Sequence, residues 1–276
     1  MNPSDSLHRF YSGFVDKYDL FASWEERKRR EGRFFRQILQ SNGVESVIDC
    51  FCGTGFHVAM LSEMGYHVDG IDISPRMIRK AKENLKDMGL DDRVRVGDVK
   101  ELVAGEKYDC ALSMGNSLPH EFGDENVLKA LEGMYGALKY GGIVIIHMEN
   151  FDRLYEDKER FIPSVYRRTG DGTEAFIFAI DYYEDRVVFN ILSLIERGGK
   201  PGFEVDVVEY NPIKVESLKR LLKEAGFSGL ALYEDFMMRP LGRDGTYDLI
   251  VVARKRQVSD KRKQFIGVRL SYPWLH

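Results

Sequence analysis

The chain has 276 residues, with 40 Lys and Arg against 44 Asp and Glu for a formal net charge of −4, and it is 43% hydrophobic and 30% charged. That apolar content is enough to bury a sizeable core and rules out wholesale disorder. No apolar run approaches the ~20 residues of a membrane-spanning helix, no basic-then-apolar leader opens the chain, and three cysteines, Cys50, Cys52 and Cys110, cannot close a disulfide framework. A cytoplasmic location without membrane contact is therefore expected. Nucleic acid is disfavoured as a partner, because phosphate binding needs concentrated positive charge.

In chain order, a helical pattern runs from about Trp24 into Phe34-Phe35-Arg36-Gln37-Ile38-Leu39 and ends at Asn42-Gly43. Val47-Ile48-Asp49-Cys50-Phe51 reads as a short apolar strand, Gly53-Thr54-Gly55 as a turn, and Val58-Ala59-Met60-Leu61 as a helix closed by Gly65. The pattern repeats with a strand over 67–72, a helix from Pro75 to Met88, strands over 93–96 and 108–113, a helix from Asn126 to Leu138 and the apolar run Ile143-Val144-Ile145-Ile146. Alternating strands and helices, several strands being continuously apolar, predict a parallel sheet covered on both faces. From Phe151 to Asn211 turns replace helices, and three antiparallel strands over 173–183, 186–195 and 203–210 are expected to form an inserted cap. A helix over 215–225 follows, then strands over 229–235 and 247–253 as a hairpin at the sheet edge, then a basic and aromatic tail.

The informative constellation begins at Asp49-Cys50-Phe51-Cys52-Gly53-Thr54-Gly55. Gly53 and Gly55 permit a tight strand-to-helix turn against which a ligand can lie, and Asp49 puts a carboxylate at the strand's end. A dinucleotide fingerprint would carry a third glycine three positions past Gly55, where Val58 stands. Asp72 ends the second strand, where a carboxylate can accept both hydroxyls of a ribose. Asp98, in Gly97-Asp98-Val99, can accept from an exocyclic adenine amine. Three acids around a nucleoside site, with no Lys or Arg in the glycine loop, fit a ligand without phosphates, such as S-adenosylmethionine.

These motifs, with Gly70-Ile71-Asp72-Ile73-Ser74-Pro75-Arg76-Met77 and Lys139-Tyr140-Gly141-Gly142, resemble those of class I S-adenosylmethionine-dependent methyltransferases over roughly residues 10–255. The resemblance implies an α/β fold, a Rossmann-like doubly wound sheet of seven strands with the last antiparallel, carrying the β cap as an insertion. It also implies a division into an N-terminal helical segment closing over the cofactor (1–42), a cofactor-binding core (43–150), a cap on the substrate side (151–211), the rest of the core (212–255) and a tail (256–276). Asp49, Gly53 and Gly55 would hold the methionine part, with Cys50 and Phe51 beside them. Asp72 would take the ribose, Ile73 and Met77 would flank the adenine, and Asp98 with Val99 would meet its amine. Met114 would lie alongside the cofactor.

Within that class, Met114-Gly115-Asn116-Ser117-Leu118-Pro119-His120 and Asn150-Phe151-Asp152 are similar to segments of glycine and glycine/sarcosine N-methyltransferases. By that resemblance Tyr11 and Arg27 reach the cofactor from the N-terminal segment, with Arg27 pairing its carboxylate. One departure stands out. Where those enzymes place an arginine for the glycine carboxylate, just before Asn-aromatic-Asp, this chain has Glu149, which favours a cation or a neutral hydrogen-bond donor; Arg153 and Arg167 are the nearby basic residues. The expected reaction is in-line methyl transfer to a small-molecule acceptor, an amine or, as the alternative, a hydroxyl. Asn116 and His120 are the catalytic candidates, His120 being the base an alcohol would need. Asn116, His120, Glu149, Asn150, Tyr183 and Tyr210 are the candidate acceptor contacts.

Each of these residues also has a plainer reading. Gly-Asp is an ordinary turn dipeptide, Cys50-x-Cys52 lacks zinc spacing and suits small core thiols, His57 and His67 suit structural or surface roles, and the run Arg27-Lys28-Arg29-Arg30 suits a solvated helix face. No metal site is expected. An NAD-dependent oxidoreductase or a catalytically silent cofactor-binding protein would share the ribose-binding acid, and the sequence leaves both open, as it does a homo-oligomer.

Overall fold

The structure, a computed structural model, describes residues 15–256 apart from 16, 20, 103, 104, 106, 170, 171, 243 and 244. Helix α1 (Trp24–Ser41) has Ser23 as its N-cap and Glu25 and Glu26 in its first turn, and it buries Phe34, Phe35, Ile38 and Leu39 along one face. The chain then alternates β1 (Ser46–Asp49), α2 (Phe56–Glu63), β2 (His67–Asp72), α3 (Pro75–Asp87), β3 (Val94–Val96), β4 (Tyr108–Ser113), α4 (Asp124–Ala137) and β5 (Leu138–Glu149). After a short helix α5 (Phe151–Asp157) and the cap strands come α6 (Val215–Glu224), β10 (Phe227–Tyr233) and β11 (Asp248–Lys255).

The main sheet has the order β10-β11-β5-β4-β1-β2-β3. Strands β1 to β5 pair in parallel, and β11 is antiparallel to both β5 and β10. The expected hairpin forms, but only β10 lies at the edge, with the last strand inserted beside β5. Strand residues alternate between two apolar layers. Ile48, Ala111, Val144 and Ile146 face the α4 and α6 side with Leu131 and Leu222, whereas Val47, Leu112, Ile143 and Ile145 face Phe34, Phe35, Met60 and Leu85. The strand order reverses direction at β1, and the crevice beyond the carboxyl ends there is where such sheets bind ligands.

The second sheet is antiparallel and has four strands, β6 (Phe161–Thr169), β7 (Gly172–Tyr182), β8 (Val187–Arg197) and β9 (Lys200–Tyr210), one more than expected. Strand β6 carries Pro163 and several charges, so its pattern is weak, and the β6–β7 register shifts between Ile162 and Val165, where an edge strand tolerates proline. The inner face of this sheet joins the core through Phe176, Phe178, Ile180, Phe189 and Ile191. No helix among the described residues is long and apolar enough to cross a membrane. Tyr11 and the 257–276 part of the tail lie outside the described residues.

Candidate functional site

At the carboxyl ends of β1 and β2 the backbone itself shapes a crevice. Gly53 and Gly55 adopt φ of +52° and +91°, and a Cβ on Gly55 would lie 3.2 Å from that of Ala81 on α3. The absence of a third glycine is made good on the other side of the contact. A Cβ at Gly70 on β2 would stand 2.9 Å from Val58 Cγ2, so Gly70 admits α2 close to the sheet. Asp72 accepts from the Gly53 amide at 2.9 Å on one oxygen and from the Ser74 amide at 2.8 Å on the other. Burial pushes its pKa up, and the two amides pull it back down.

Ile73 beside it is 56% exposed, an apolar side chain left bare at the sheet's end, whereas Met77 is 1% exposed and buried on α3. Met77 therefore belongs to the helix packing, against the expectation that it flanks the adenine. Asp98 caps a 3-10 turn (Val99–Glu101) through the Lys100 amide at 2.9 Å and pairs with Lys100 Nζ at 3.4 Å, while Val99 is buried. Met114 and the three cysteines are buried and Phe51 packs partly buried against the core, with burial pushing the thiols well up and out of reactive range.

Asp49 is the most conspicuous group at this end. It is fully buried, one oxygen accepts from the Phe51 amide at 3.4 Å, and the other, Oδ2, has no hydrogen-bond partner among the described residues. Burial raises its pKa to about 7, with the Phe51 amide and Arg27 opposing and Asp72 adding to the rise. An unpartnered buried carboxylate calls for a donor, which the described residues do not supply. An ammonium for Asp49, hydroxyls for Asp72 and a flat ring for Ile73 together make an S-adenosylmethionine-shaped set of demands.

Arg27, Glu31 and His57 link this end to its neighbour. Arg27 Nε is 3.3 Å from Glu31 Oε1, its guanidinium lies 4.1 Å from the Phe56 ring centroid, and Arg30 reaches the same Glu31 oxygen at 3.1 Å. His57 Nε2 is 2.9 Å from Glu31 Oε2 and its Nδ1 is 3.7 Å from Asp49 Oδ2. Burial would raise the Glu31 pKa, but Arg27 and His57 outweigh it and hold the carboxyl well below the ordinary range. Burial and Arg27 push His57 down to about 4, so it is neutral at physiological pH. Asp19 ties the preceding segment down, accepting from Thr54 Oγ1 at 2.6 Å, Trp24 Nε1 at 2.9 Å and Asn84 Nδ2 at 3.0 Å, while Lys17 pairs with Glu204 and Asp206 on β9.

A cavity of about 490 Å³ lies between residues 18–30, the loop after β4, the ends of β5 and β11, and the inner face of the cap. Asn116, Glu149, Tyr210 and Arg27 line it. Asn116 is held at φ +64°, its amide donates to the His147 carbonyl at 3.1 Å, and its Oδ1 accepts from the Glu149 amide at 3.0 Å. Its side chain also bonds the Tyr210 hydroxyl. Glu149 stands directly across the β5–β11 ladder from Asp248. Burial first, then Asp248, raises its pKa to about 8 against the pull of Arg30. His147 Nε2 bonds Asp248 at 2.9 Å while its Nδ1 accepts from the Gly115 amide at 3.3 Å, which assigns the ring proton to Nε2.

Three expected acceptor contacts are not among the residues lining the cavity. His120 is half-buried against Tyr210, ring centroids 4.8 Å apart, and desolvation pushes its pKa down to about 3. Asn150 caps α5 through the Arg153 amide and donates to the Thr246 carbonyl. Tyr183 sits exposed in the β7–β8 turn, its carbonyl accepting from Tyr155. Of the two arginines expected near Glu149, Arg153 pairs with Asp157 and Glu156, and Arg167 lines the cavity paired with Glu26 at 2.5 Å. The sequence reading missed Tyr18, His147, Asp248 and the cap's Phe178, Phe189 and Ile191, all of which line the cavity. His147 had a usable signal, a histidine breaking the apolar run of β5 near its carboxyl end.

Residues 47–142 match a family model described as a methyltransferase domain. The chain is 31% identical to the glycine/sarcosine N-methyltransferase of Aphanothece halophytica, over 84% of this chain and 86% of that protein. It belongs to the glycine/sarcosine N-methyltransferase family. It is also 33% identical to the glycine/sarcosine/dimethylglycine N-methyltransferase of Actinopolyspora halophila over 90% of this chain, and it spans only 43% of that longer relative. Among solved structures, an S-adenosylmethionine-dependent methyltransferase from Clostridium acetobutylicum superposes with a TM-score of 0.74 at 17% identity, covering 90% of this chain and 99% of that one. An amino pentose methyltransferase from Micromonospora echinaspora, solved with S-adenosylmethionine bound, gives 0.68 at 19% identity over 84% and 92%. These structures establish the α/β methyltransferase fold. The chain is thus an S-adenosylmethionine-dependent methyltransferase, and the NAD-dependent alternative falls away.

Proposed function

We propose that this methyltransferase acts on the nitrogen of a small amine, the glycine- and sarcosine-type acceptors of its relatives' names being the starting class. The observation that carries nitrogen over oxygen is the cavity's polar lining. Glu149, Asp248 and the Tyr210 hydroxyl present hydrogen-bond acceptors to a nitrogen's protons, whereas His120, the base a hydroxyl would want, is not part of the cavity's lining.

In this reading Asp49 takes the cofactor's ammonium, Arg27 its carboxylate, Asp72 the ribose hydroxyls, Ile73 a face of the adenine and Asp98 its amine. The cofactor supplies an electrophilic methyl group on a sulfonium. Residues 17–24, anchored by Asp19 to the glycine loop and by Lys17 to the cap, cover the crevice and exclude water. Asn116 holds the floor of the acceptor cavity in register by joining Glu149 and Tyr210. Alignment of this kind supplies about 7–11 kcal/mol of a bimolecular barrier, so the protein has little covalent chemistry to do.

The test is methyl transfer from S-adenosylmethionine carrying a labelled methyl group to glycine, sarcosine and carboxylate-free amines. Label on product nitrogen is the expected result. Label on oxygen, or S-adenosylhomocysteine release that no amine stimulates, would overturn the reading.

A further inference from the structure

The charges around the acceptor cavity do not balance. Arg167 is paired with Glu26, Arg27 and Arg30 are both engaged by Glu31 behind the wall, and Asp248 is bonded to His147. Three arginines thus face four carboxylates, those of Glu26, Glu31, Glu149 and Asp248. The carboxylate of Glu149 makes no ion pair or hydrogen bond among the described residues, although it lies on the cavity wall opposite Asp248. Beside Ser23, Asn116 and the tyrosines, the wall on the side of the N-terminal segment and the cap is apolar, with Phe21, Ile162, Val165, Phe178, Phe189 and Ile191. The cavity, about 490 Å³, falls within the roughly 300–1,000 Å³ of small-molecule sites, and Arg27, assigned above to the cofactor's carboxylate, marks the end of it that the cofactor would share.

We propose that Glu149 is the amine anchor of the acceptor site, and that the preferred acceptor is a cationic amine with an apolar body and no carboxylate beside its nitrogen. This rests on the amine reading above and narrows it. The ammonium docks on Glu149 next to Asp248, its body lies against the cap's phenylalanines, and an acceptor carboxylate at this end meets like charge. Before transfer, one ammonium proton passes to the Glu149 carboxylate. The freed nitrogen lone pair then forms the bond to the methyl carbon as the carbon–sulfur bond breaks with its electron pair left on sulfur, and the product leaves as an ammonium. Glu149 returns its proton to water on product release.

The charged and titratable groups lining the cavity with Glu149 are Asp248 from β11, His147 from its own strand, Glu26, Arg27 and Arg30 from α1 with Glu31 behind them, Tyr18 from the N-terminal segment, Arg167 from β6 and Tyr210 from β9. Only Arg30 among them is a significant opposing charge, so the carboxyl is protonated below a pH of about 8 and available above it. Activity toward a cationic amine therefore rises with pH up to that point.

The experiment uses two matched pairs of acceptors, phenethylamine with phenylalanine and methylamine with glycine. Each is titrated calorimetrically into the protein saturated with S-adenosylhomocysteine and assayed with S-adenosylmethionine, for the wild type, Glu149→Gln and Glu149→Asp. Melting curves verify that each variant folds. Above pH 8, where the Glu149 carboxylate is available, phenethylamine is expected to bind most tightly, with affinity falling about 100-fold in Glu149→Gln and partly retained in Glu149→Asp, and the rise of kcat/KM toward pH 8 is lost in Glu149→Gln. Glycine as the preferred acceptor, or phenethylamine affinity unchanged in a folded Glu149→Gln, overturns the proposal while leaving amine methylation intact. If neither pair is methylated, the amine reading fails. Calorimetry then still decides the anchor, since Glu149-dependent phenethylamine binding upholds it and no binding refutes it.

Discussion

The two ends of the crevice are built by opposite means. At the β1–β2 end the backbone fixes the polar groups, with both oxygens of Asp72 held by amides and the turn set by two glycines at positive φ. At the acceptor end the polar residues come from four separate stretches of chain and hold one another through side chains, as Asn116 holds the Glu149 amide and Tyr210, and as His147 holds Asp248. The Arg27–Glu31–His57 cluster is the hinge between them, touching Asp49 on one side and the cavity on the other.

Removing that hinge gives the largest expected effect. Glu31→Ala leaves Arg27, Arg30 and His57 without their shared carboxylate, and a loss of about 3–5 kcal/mol in denaturant-measured stability is predicted. Because the Glu31 pKa is depressed in the folded state, its contribution is present above the ordinary carboxylate pKa and is lost as the pH falls below it, so the difference between wild type and variant shrinks in acid. Next comes Asn116→Ala, which unlinks Glu149 from Tyr210. Acceptor kcat/KM falls by about 10- to 100-fold, equivalent to losing one or two hydrogen bonds to charged or buried groups, while S-adenosylhomocysteine affinity is unchanged. Equal losses at both ends would break the division between them.

A smaller effect sharpens the cofactor side. The proposed docking of the cofactor's ammonium on Asp49 requires its carboxylate form, and it predicts that affinity for S-adenosylhomocysteine weakens by up to about tenfold per pH unit as the pH drops below about 7, with proton release seen as a buffer-dependent heat. Asp49→Asn should flatten that dependence. The smallest effect is predicted for His120→Phe, which keeps a ring against Tyr210; the shape of the pH–rate profile should not change. A lost limb in that profile would restore His120 as a base.

This contrast also explains what the sequence could reveal. The parallel core, the glycine loop and Asp72 were legible because each depends on short-range periodicity or turn chemistry. Strand β6 was hidden by its proline and charges. The partnership of His147 with Asp248 spans 101 residues and exists only through the β5–β11 pairing, which no local pattern encodes. His120 and Tyr183 were misplaced for the same reason, since nearness to the loop after β4 or to the cap says nothing about which way a side chain turns. Gly70 supplied the close helix approach that Val58 seemed to forbid, from the opposite strand.

The most direct measurement is calorimetric titration of S-adenosylhomocysteine into the wild type and Asp72→Ala, with melting curves to verify folding. Micromolar binding, about −8 kcal/mol, that weakens by about 100-fold in the folded variant, through loss of charged hydrogen bonds to the ribose, is the predicted result. Equal affinity in the two proteins would contradict the placement of the nucleoside at the end of β2, and with it the division of the crevice into a backbone-built cofactor end and a side-chain-built acceptor end.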